Sequence, residues 1–181
     1  MEILEFTDAA GWADWLTDHH DQQAEAWVRI GKSHAEMHLP TIAETGELAL
    51  CFGWIDGQRK SYDAVSFIQR YSRRRPKSSW SKVNVERAEA LIAAGRMRPA
   101  GWAEIEDAKA DGRWDAAYEP QRTARVTEEL TAALANDARS RTAFEALGRS
   151  EQYLLMLPLL KAYTPKMREA ALLRLMTRLE P

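Results

Sequence analysis

The chain has 181 residues, of which 45% are hydrophobic and seven are tryptophan, so it is long and apolar enough to bury a core and does not have the composition of a disordered protein. The formal net charge is only −2, which argues against a broadly basic nucleic-acid-binding protein. No apolar run reaches membrane-spanning length, since the longest, residues 153–160, is short and contains a proline.

Charge is distributed unevenly along the chain. Residues 1–57 carry two Lys+Arg against eleven Asp+Glu, whereas residues 58–98 carry eleven against three, a local balance of +8. Clustered like charges create a field that extends beyond pairwise contacts. The sequence therefore predicts a positive patch that attracts phosphate, carboxylate or a nucleic-acid backbone.

The N-terminal residues lack the basic and apolar regions of a secretory signal. The single cysteine, Cys51, cannot form an internal disulfide, and its neighbours Leu50 and Phe52 are apolar. We expect a cytoplasmic protein in which Cys51 is a buried small hydrophobic residue rather than a reactive thiol.

The first 52 residues alternate between helical and strand patterns. Asp8 is expected to cap a helix that carries Trp12 and Leu16 at helical spacing. Large apolar and polar residues alternate over 26–30, which predicts a strand, and residues 41–52 predict a second helix that ends at a glycine.

Two further strands are predicted at 54–62 and 65–71, where aromatic and β-branched residues are frequent. Asp63-Ala64 between them predicts a hairpin that pairs with the strand at 26–30, although Asp56-Gly57 is an alternative position for the turn.

Helical patterns dominate the rest of the chain, and residues 115–127, which have few apolar positions, are the best candidate for a linker. Gly148 is expected to end one helix and Ser150 to cap the next. We predict an α+β domain at 1–118, in which helices cover a small antiparallel sheet, and a C-terminal helical subdomain at 119–181. The predicted helices span residues 82–94, 99–110, 128–135, 141–147, 151–162 and the segment that begins at Pro165.

The run 70–84 combines basic, aromatic and hydroxyl side chains, a mixture suited to binding an anion. In this interpretation arginine forks, serine hydroxyls and the start of the following helix hold the ligand. In the alternative interpretation, the basic residues only neutralise the acidic N-terminal segment, Trp80 fills the core, and Ser79 or Ser81 caps a helix.

Other patterns carry less chemical information. His34, Glu36 and His38 share one face if they lie on a strand, but no third protein ligand is evident nearby, and we favour a solvated loop over a metal site. There is no glycine-rich phosphate loop and no nucleophile elbow. Asp56 is a candidate general base only if it is buried beside Trp54.

Four segments together resemble the YdeI/OmpD-associated family of bacterial proteins, namely residues 49–57, 70–84, 95–101 and 108–114. The resemblance implies a cytoplasmic α+β protein. Some members of the family are linked to bacteriocin protection, antimicrobial-peptide tolerance and outer-membrane porins.

The chain departs from the family pattern in two places. Ser72-Arg73-Arg74-Arg75 stands where Thr-Pro-Arg-Arg is usual, and the C-terminal segment has Ala162-Tyr163, Met167-Arg168 and Ala171 in place of the usual residues. The positions that match best are Trp54, Asp56, Gly57, Arg74, Arg75, Trp80, Ser81, Asn84, Lys109 and Trp114.

The working hypothesis is a non-catalytic protein that binds an anionic small molecule or an acidic protein surface without cofactor or metal. Arg74, Arg75 and Lys77 contact the ligand, Trp54 and Trp80 wall the site, and Asn84 and Asp56 orient it. Two alternatives are an enzyme that uses Asp56 as acid or base on a phosphorylated or carboxylated substrate, and a nucleic-acid-binding protein, which the acidic first third makes the less favoured of the two. The sequence indicates no oligomeric state.

Overall fold

The computed structural model describes residues 2–33 and 38–180 and confirms the α+β class. Its strands are β1 (Ile3–Leu4), β2 (Glu25–Gly31), β3 (Trp54–Ser61) and β4 (Ser66–Arg73). Its helices are α1 (Ala9–His19), α2 (Ile42–Cys51), α3 (Lys82–Ala93), α4 (Pro99–Ala110), α5 (Glu128–Asn136), α6 (Ala138–Glu145), α7 (Arg149–Leu160) and α8 (Pro165–Leu179).

The four strands form one sheet in the order β1-β2-β4-β3. The predicted hairpin β3–β4 is confirmed, and β4 pairs antiparallel with β2 as expected. The short strand β1, which the sequence did not reveal, adds a parallel pair at one edge. Asp56-Gly57 is not the turn; a register shift between Asp56 and Arg59 lies there instead.

The hairpin turn is stabilised by the side chain of Asp63. Its Oδ1 accepts hydrogen bonds from the backbone N–H groups of Val65 (2.9 Å) and Ser66 (2.7 Å) and from the Ser66 hydroxyl (2.8 Å). The pKa of Asp63 is lowered to about 2, chiefly by the hydrogen bond from the Ser66 hydroxyl. The two backbone hydrogen bonds and the nearby Arg29 guanidinium also lower it. Aspartate is common in such turns because its side chain accepts a hydrogen bond from the backbone N–H two residues further along the chain.

The chain divides into two compact units, and the division falls inside α3 and α4. The first unit, residues 1–78 and 86–107, has an aromatic core. Trp12 packs against Tyr71, with ring centroids 5.4 Å apart, and meets Trp54 edge-on at 6.3 Å. Polar atoms of these rings are bonded: the Trp12 Nε1–H donates to the Thr45 carbonyl (3.1 Å), and the hydroxyls of Tyr71 and Thr45 lie 2.7 Å apart.

The second unit, residues 79–85 and 108–181, contains α5 to α8. Two helix starts differ from the sequence prediction: α6 begins after an Asp137 cap, and Gly148, expected to end a helix, is the N-cap of α7 in place of Ser150. The predicted boundary between residues 118 and 119 stays a prediction. The buried cluster of α5 to α8 consists of Leu130, Leu134, Phe144, Met156, Leu159, Ala162, Ala171, Leu175 and Leu179.

Candidate functional site

A cleft of about 460 Å³ in the first unit lies beside the end of β4, and we call it the arginine cleft. It gathers side chains from the end of α1, the α2–β3 connection, the end of β4 and the start of α4. Its lining residues are His20, Asp21, Phe52, Gly53, Arg73, Arg74, Pro76, Ala100, Ala103 and Glu104.

Backbone hydrogen bonds fix the two arginines at the cleft. The Arg73 N–H donates to the Ala24 carbonyl (3.2 Å), and the Arg74 N–H donates to the Gly53 carbonyl (3.1 Å). Arg73 also donates from Nη1 to the Asp21 carbonyl (3.2 Å). The arginines therefore lie on a rigid strand end that pairs with its neighbours, a better support for a site than a mobile loop.

Close packing around two glycines holds the start of α4 against the α2–β3 connection beside the cleft. Gly53 has φ +73°, and a Cβ there would lie 2.9 Å from the Ala100 carbonyl oxygen. A Cβ at Gly101 would lie 2.3 Å from the Cys51 carbonyl oxygen. These positions require glycine, because any side chain would push α4 away from the end of α2.

The His20 ring lines the cleft in a defined orientation. Its Nδ1 lies 2.8 Å from the Leu16 carbonyl oxygen, which can only accept, so Nδ1 carries the proton. The ring packs against Phe52 at a centroid distance of 5.2 Å. With Nδ1 bonded, Nε2 remains as the polar atom for a ligand, an acceptor in the neutral ring and a donor in the cation.

The charges of the cleft are mixed but differ in exposure. Arg74 is only 4% exposed and forms part of the wall, whereas Arg73 is exposed. Asp21 and Glu104 are the acidic residues of the lining. A guanidinium presents a planar fork of donors that fits a carboxylate or phosphate.

A tight turn, Arg75 to Ser78, follows the cleft arginines, and we call it the basic turn. The Ser78 N–H donates to the Arg75 carbonyl (3.0 Å), and both Arg75 and Lys77 are exposed. Lys77 has φ +61°, and it is the non-glycine residue with positive φ among the described residues. Glycine or asparagine normally takes this conformation, and such strain often accompanies a functional role.

The first unit contains half of the predicted site residues. Arg74 lines the arginine cleft, and Arg75 and Lys77 lie in the adjoining basic turn. Trp54 is fully buried and donates from Nε1 to the His20 carbonyl (3.1 Å), so it supports the cleft from behind and does not wall it. Asp56 is exposed on the edge strand β3 and is not part of the cleft lining.

The other five predicted residues belong to the second unit. Trp80 is 1% exposed and packs against Trp114 at 4.9 Å between centroids, and the Lys109 ammonium lies 5.2 Å from the Trp114 ring centroid. The Ser81 hydroxyl accepts from the Asn84 N–H (3.2 Å), so it caps α3. For Trp80 and Ser81 the structure thus favours the structural interpretation over ligand binding.

Sequence reasoning missed His20, Phe52 and Glu104. They lie 21 or more residues from Arg73 in the chain, and the packing of α1 and α4 and the pairing of β3 with β4 bring them to the strand end. A single histidine, phenylalanine or glutamate has no distinctive local pattern, so no sequence signal marked them.

Two other candidates from the sequence are a reactive thiol at Cys51 and a possible metal site. Cys51 is buried, as expected, and burial raises the pKa of its thiol, which disfavours the reactive thiolate. The possible metal ligands His34 and Glu36 lie outside the described residues. Within 2–33 and 38–180, no group of three histidine, cysteine or carboxylate side chains is arranged to hold a metal ion.

Comparison with protein-family models identifies both parts of the chain. Residues 4–104, more than half of the sequence, match the model described as domain of unknown function DUF8412. The chain belongs to this family. Residues 123–180 match the model described as bacteriocin-protection, YdeI or OmpD-associated. No curated protein and no solved structure matches.

The second match confirms the YdeI/OmpD-associated resemblance, but on a different part of the chain. The segments that suggested it lie within or just after the DUF8412 range, whereas the match covers the C-terminal helices, where departures from the family pattern were expected. Within the described part of the chain, no helix has the length and apolar composition to cross a membrane.

Proposed function

We propose that this protein is a non-catalytic binding protein of the YdeI/OmpD-associated type, and that it holds a small anion in the arginine cleft. The observation that carries the proposal is the exposed guanidinium of Arg73, fixed on a strand end inside a cleft that also contains His20 and Arg74. Phosphate and carboxylate are the groups that such donors bind best.

The surroundings of the cleft strengthen this proposal. Arg75 and Lys77 lie exposed in the basic turn, where they raise the local concentration of anions without being enclosed. The two cleft acids favour a compact anion with a defined orientation over a long polyanion, because like charges repel a continuous phosphate backbone.

The enzymatic alternative has no support from the geometry, since it required Asp56 and the arginines to converge in one pocket. Asp56 is solvent-exposed, and the cleft is lined without it. A general base must reach its proton at hydrogen-bond distance. We therefore propose binding rather than catalysis at the arginine cleft.

Isothermal titration calorimetry with inorganic phosphate, pyrophosphate, citrate, nucleotides and an oligonucleotide tests the proposal. Loss of a charge-assisted hydrogen bond removes roughly 1.5–3 kcal/mol, so Arg73→Ala is expected to weaken binding about tenfold or more. Arg75→Ala, at the exposed turn, is expected to weaken it less. Arg141→Ala on α6 is the matched control and leaves affinity unchanged.

Two results would contradict the proposal: equal affinity for wild type and Arg73→Ala, or no binding of any small anion at millimolar concentration. Tight oligonucleotide binding with a steep salt dependence would instead assign the basic residues to nucleic acid.

The biological setting is part of the same proposal. The family description names bacteriocin protection, and the family resemblance implies a cytoplasmic protein. We expect a strain without this gene to lose tolerance to a bacteriocin or antimicrobial peptide, and wild type, but not Arg73→Ala, to restore it. Cell fractionation tests the location independently.

A further inference from the structure

An apolar groove lies in the second unit, and none of the residues that line it belongs to the arginine cleft. It consists of two cavities of about 600 and 450 Å³ that share Ala143 and Leu179. The residues that line it come from α6, the start of α7 and the end of α8, and are Ala138, Arg139, Thr142, Ala143, Ala146, Leu147, Glu151, Leu154, Leu155, Arg178 and Leu179.

Helix α6 supplies one side of the groove with small side chains. Ala138, Thr142 and Ala146 recur at four-residue spacing, with Ala143 beside them, so they form one stripe of the helix. Phe144 lies on another stripe and is buried in the core. A stripe of small residues lets another helix approach the α6 backbone closely.

Helix α7 supplies a leucine wall. Leu154 is 65% exposed, on a helix that also contributes Met156 and Leu159 to the core. Leu155 beside it packs against the buried cluster of α5 to α8, as do Ala143 and Leu147. The groove floor is therefore a part of the core surface that remains open to solvent.

The charges at the groove are mainly positive. Arg139 lines one of the two cavities and Arg178 lines the other, and within residues 2–33 and 38–180 neither guanidinium forms an ion pair. The remaining charged residue, Glu151, accepts the Gly148 N–H (2.9 Å) in the cap of α7. The rim therefore complements a partner with acidic groups at its edges.

We propose that this groove binds an amphipathic helix of a partner protein, with the apolar side chains of that helix against Ala143 and Leu154 and its acidic residues facing Arg139 and Arg178. The eight residues of α6 span about 12 Å at 1.5 Å per residue, which matches roughly two turns of a bound helix. A second copy of this groove is a poorer occupant, because its arginines would meet like charges.

The test starts from a displayed library of random 16-residue peptides, selected on the full-length protein. Counter-selection uses Ala143→Trp, in which the indole fills the groove. Enriched peptides are expected to repeat apolar residues at i, i+3 or i+4, and i+7, with Asp or Glu beside them. One enriched peptide is then synthesised, and its affinity is measured by fluorescence anisotropy.

Variants of exposed residues link the binding to the groove. Leu154→Gln is expected to weaken peptide binding about tenfold, and the double change Arg139→Glu and Arg178→Glu is expected to weaken it by the same factor. The double variant should also bind a peptide that carries Lys in place of its acidic residues. Arg122→Ala, exposed between α4 and α5, is the control, and circular dichroism checks that each variant is folded.

Several outcomes would overturn the proposal. They are enrichment of peptides without helical periodicity, enrichment of basic instead of acidic flanks, and an affinity that Leu154→Gln leaves unchanged. Sedimentation that shows a dimer broken by Leu154→Gln would assign the groove to self-association instead. The arginine cleft variants do not alter this test, so the two proposals fail separately.

Discussion

The aromatic core of the first unit and the α5–α8 cluster of the second unit differ in the kind of side chain that fills them. In the first unit, tryptophan and tyrosine rings carry polar atoms that bond to specific carbonyls and hydroxyls, as Trp54 Nε1 does to the His20 carbonyl. In the second unit, the cluster of α5 to α8 consists of Leu, Ala and Met apart from Phe144, and these side chains have no polar group for such directional bonds.

This difference has consequences at both candidate surfaces. The bond from Trp54 ties the end of α1 to the core and so sets the position of the arginine cleft. Aliphatic packing is non-directional and tolerates rearrangement, which suits a groove that accepts a partner helix. Substitutions in the first unit test how far its directional bonds and close packing determine stability.

The largest effect is expected for Trp54→Ala. Trp54 is fully buried, and loss of a buried tryptophan costs roughly 3–5 kcal/mol of unfolding free energy. Trp102, in the same unit but 37% exposed, is the matched control, and Trp102→Ala should cost about 1 kcal/mol or less. Urea unfolding followed by circular dichroism measures both, and equal costs would show that Trp54 does not anchor the core.

A smaller effect is expected for Gly101→Ala, which places a methyl group 2.3 Å from the Cys51 carbonyl oxygen. Overpacking of this kind costs roughly 1–3 kcal/mol. At Gly46, inside α2, no atom lies within 4 Å of the point that a methyl group would occupy, so Gly46→Ala should instead stabilise by about 0.5–1 kcal/mol. Thermal denaturation of the two variants should therefore shift in opposite directions; shifts in the same direction would refute this packing argument.

The sequence predicted the fold better than the site. The hairpin and most helices follow from local signals, such as the aromatic and β-branched residues on both sides of Asp63-Ala64 and the glycines that end helices. Strand β1 was not predicted because two residues are too few to show an alternating pattern. Trp80 was predicted to wall the site because an indole beside arginines suits either burial or binding, and only its packing against Trp114 shows that it is buried.

Asp63 contributes to the response to acid, because its folded-state pKa is lowered to about 2, chiefly by the Ser66 hydroxyl. A lowered carboxyl pKa stabilises the fold above the unfolded pKa near 4, and the contribution is lost as pH falls from there toward 2. Asp63→Asn should therefore flatten the pH dependence of stability in that window. Unfolding curves at several pH values check this, with Asp115→Asn, exposed after α4, as the control; parallel curves for wild type and Asp63→Asn would contradict it.

The smallest effect on stability is expected for the strained Lys77 in the basic turn. Variants of this residue also best separate an effect on binding from an effect on folding. Its φ of +61° costs roughly 1 kcal/mol, which Lys77→Gly relieves while the freer unfolded chain offsets part of the gain. Lys77→Asn relieves the strain without that offset. Both variants should unfold at or slightly above the wild-type temperature yet bind phosphate or citrate more weakly, because a cation is lost beside the cleft. A loss of stability in both, with unchanged affinity, would make the turn a structural element with no part in binding.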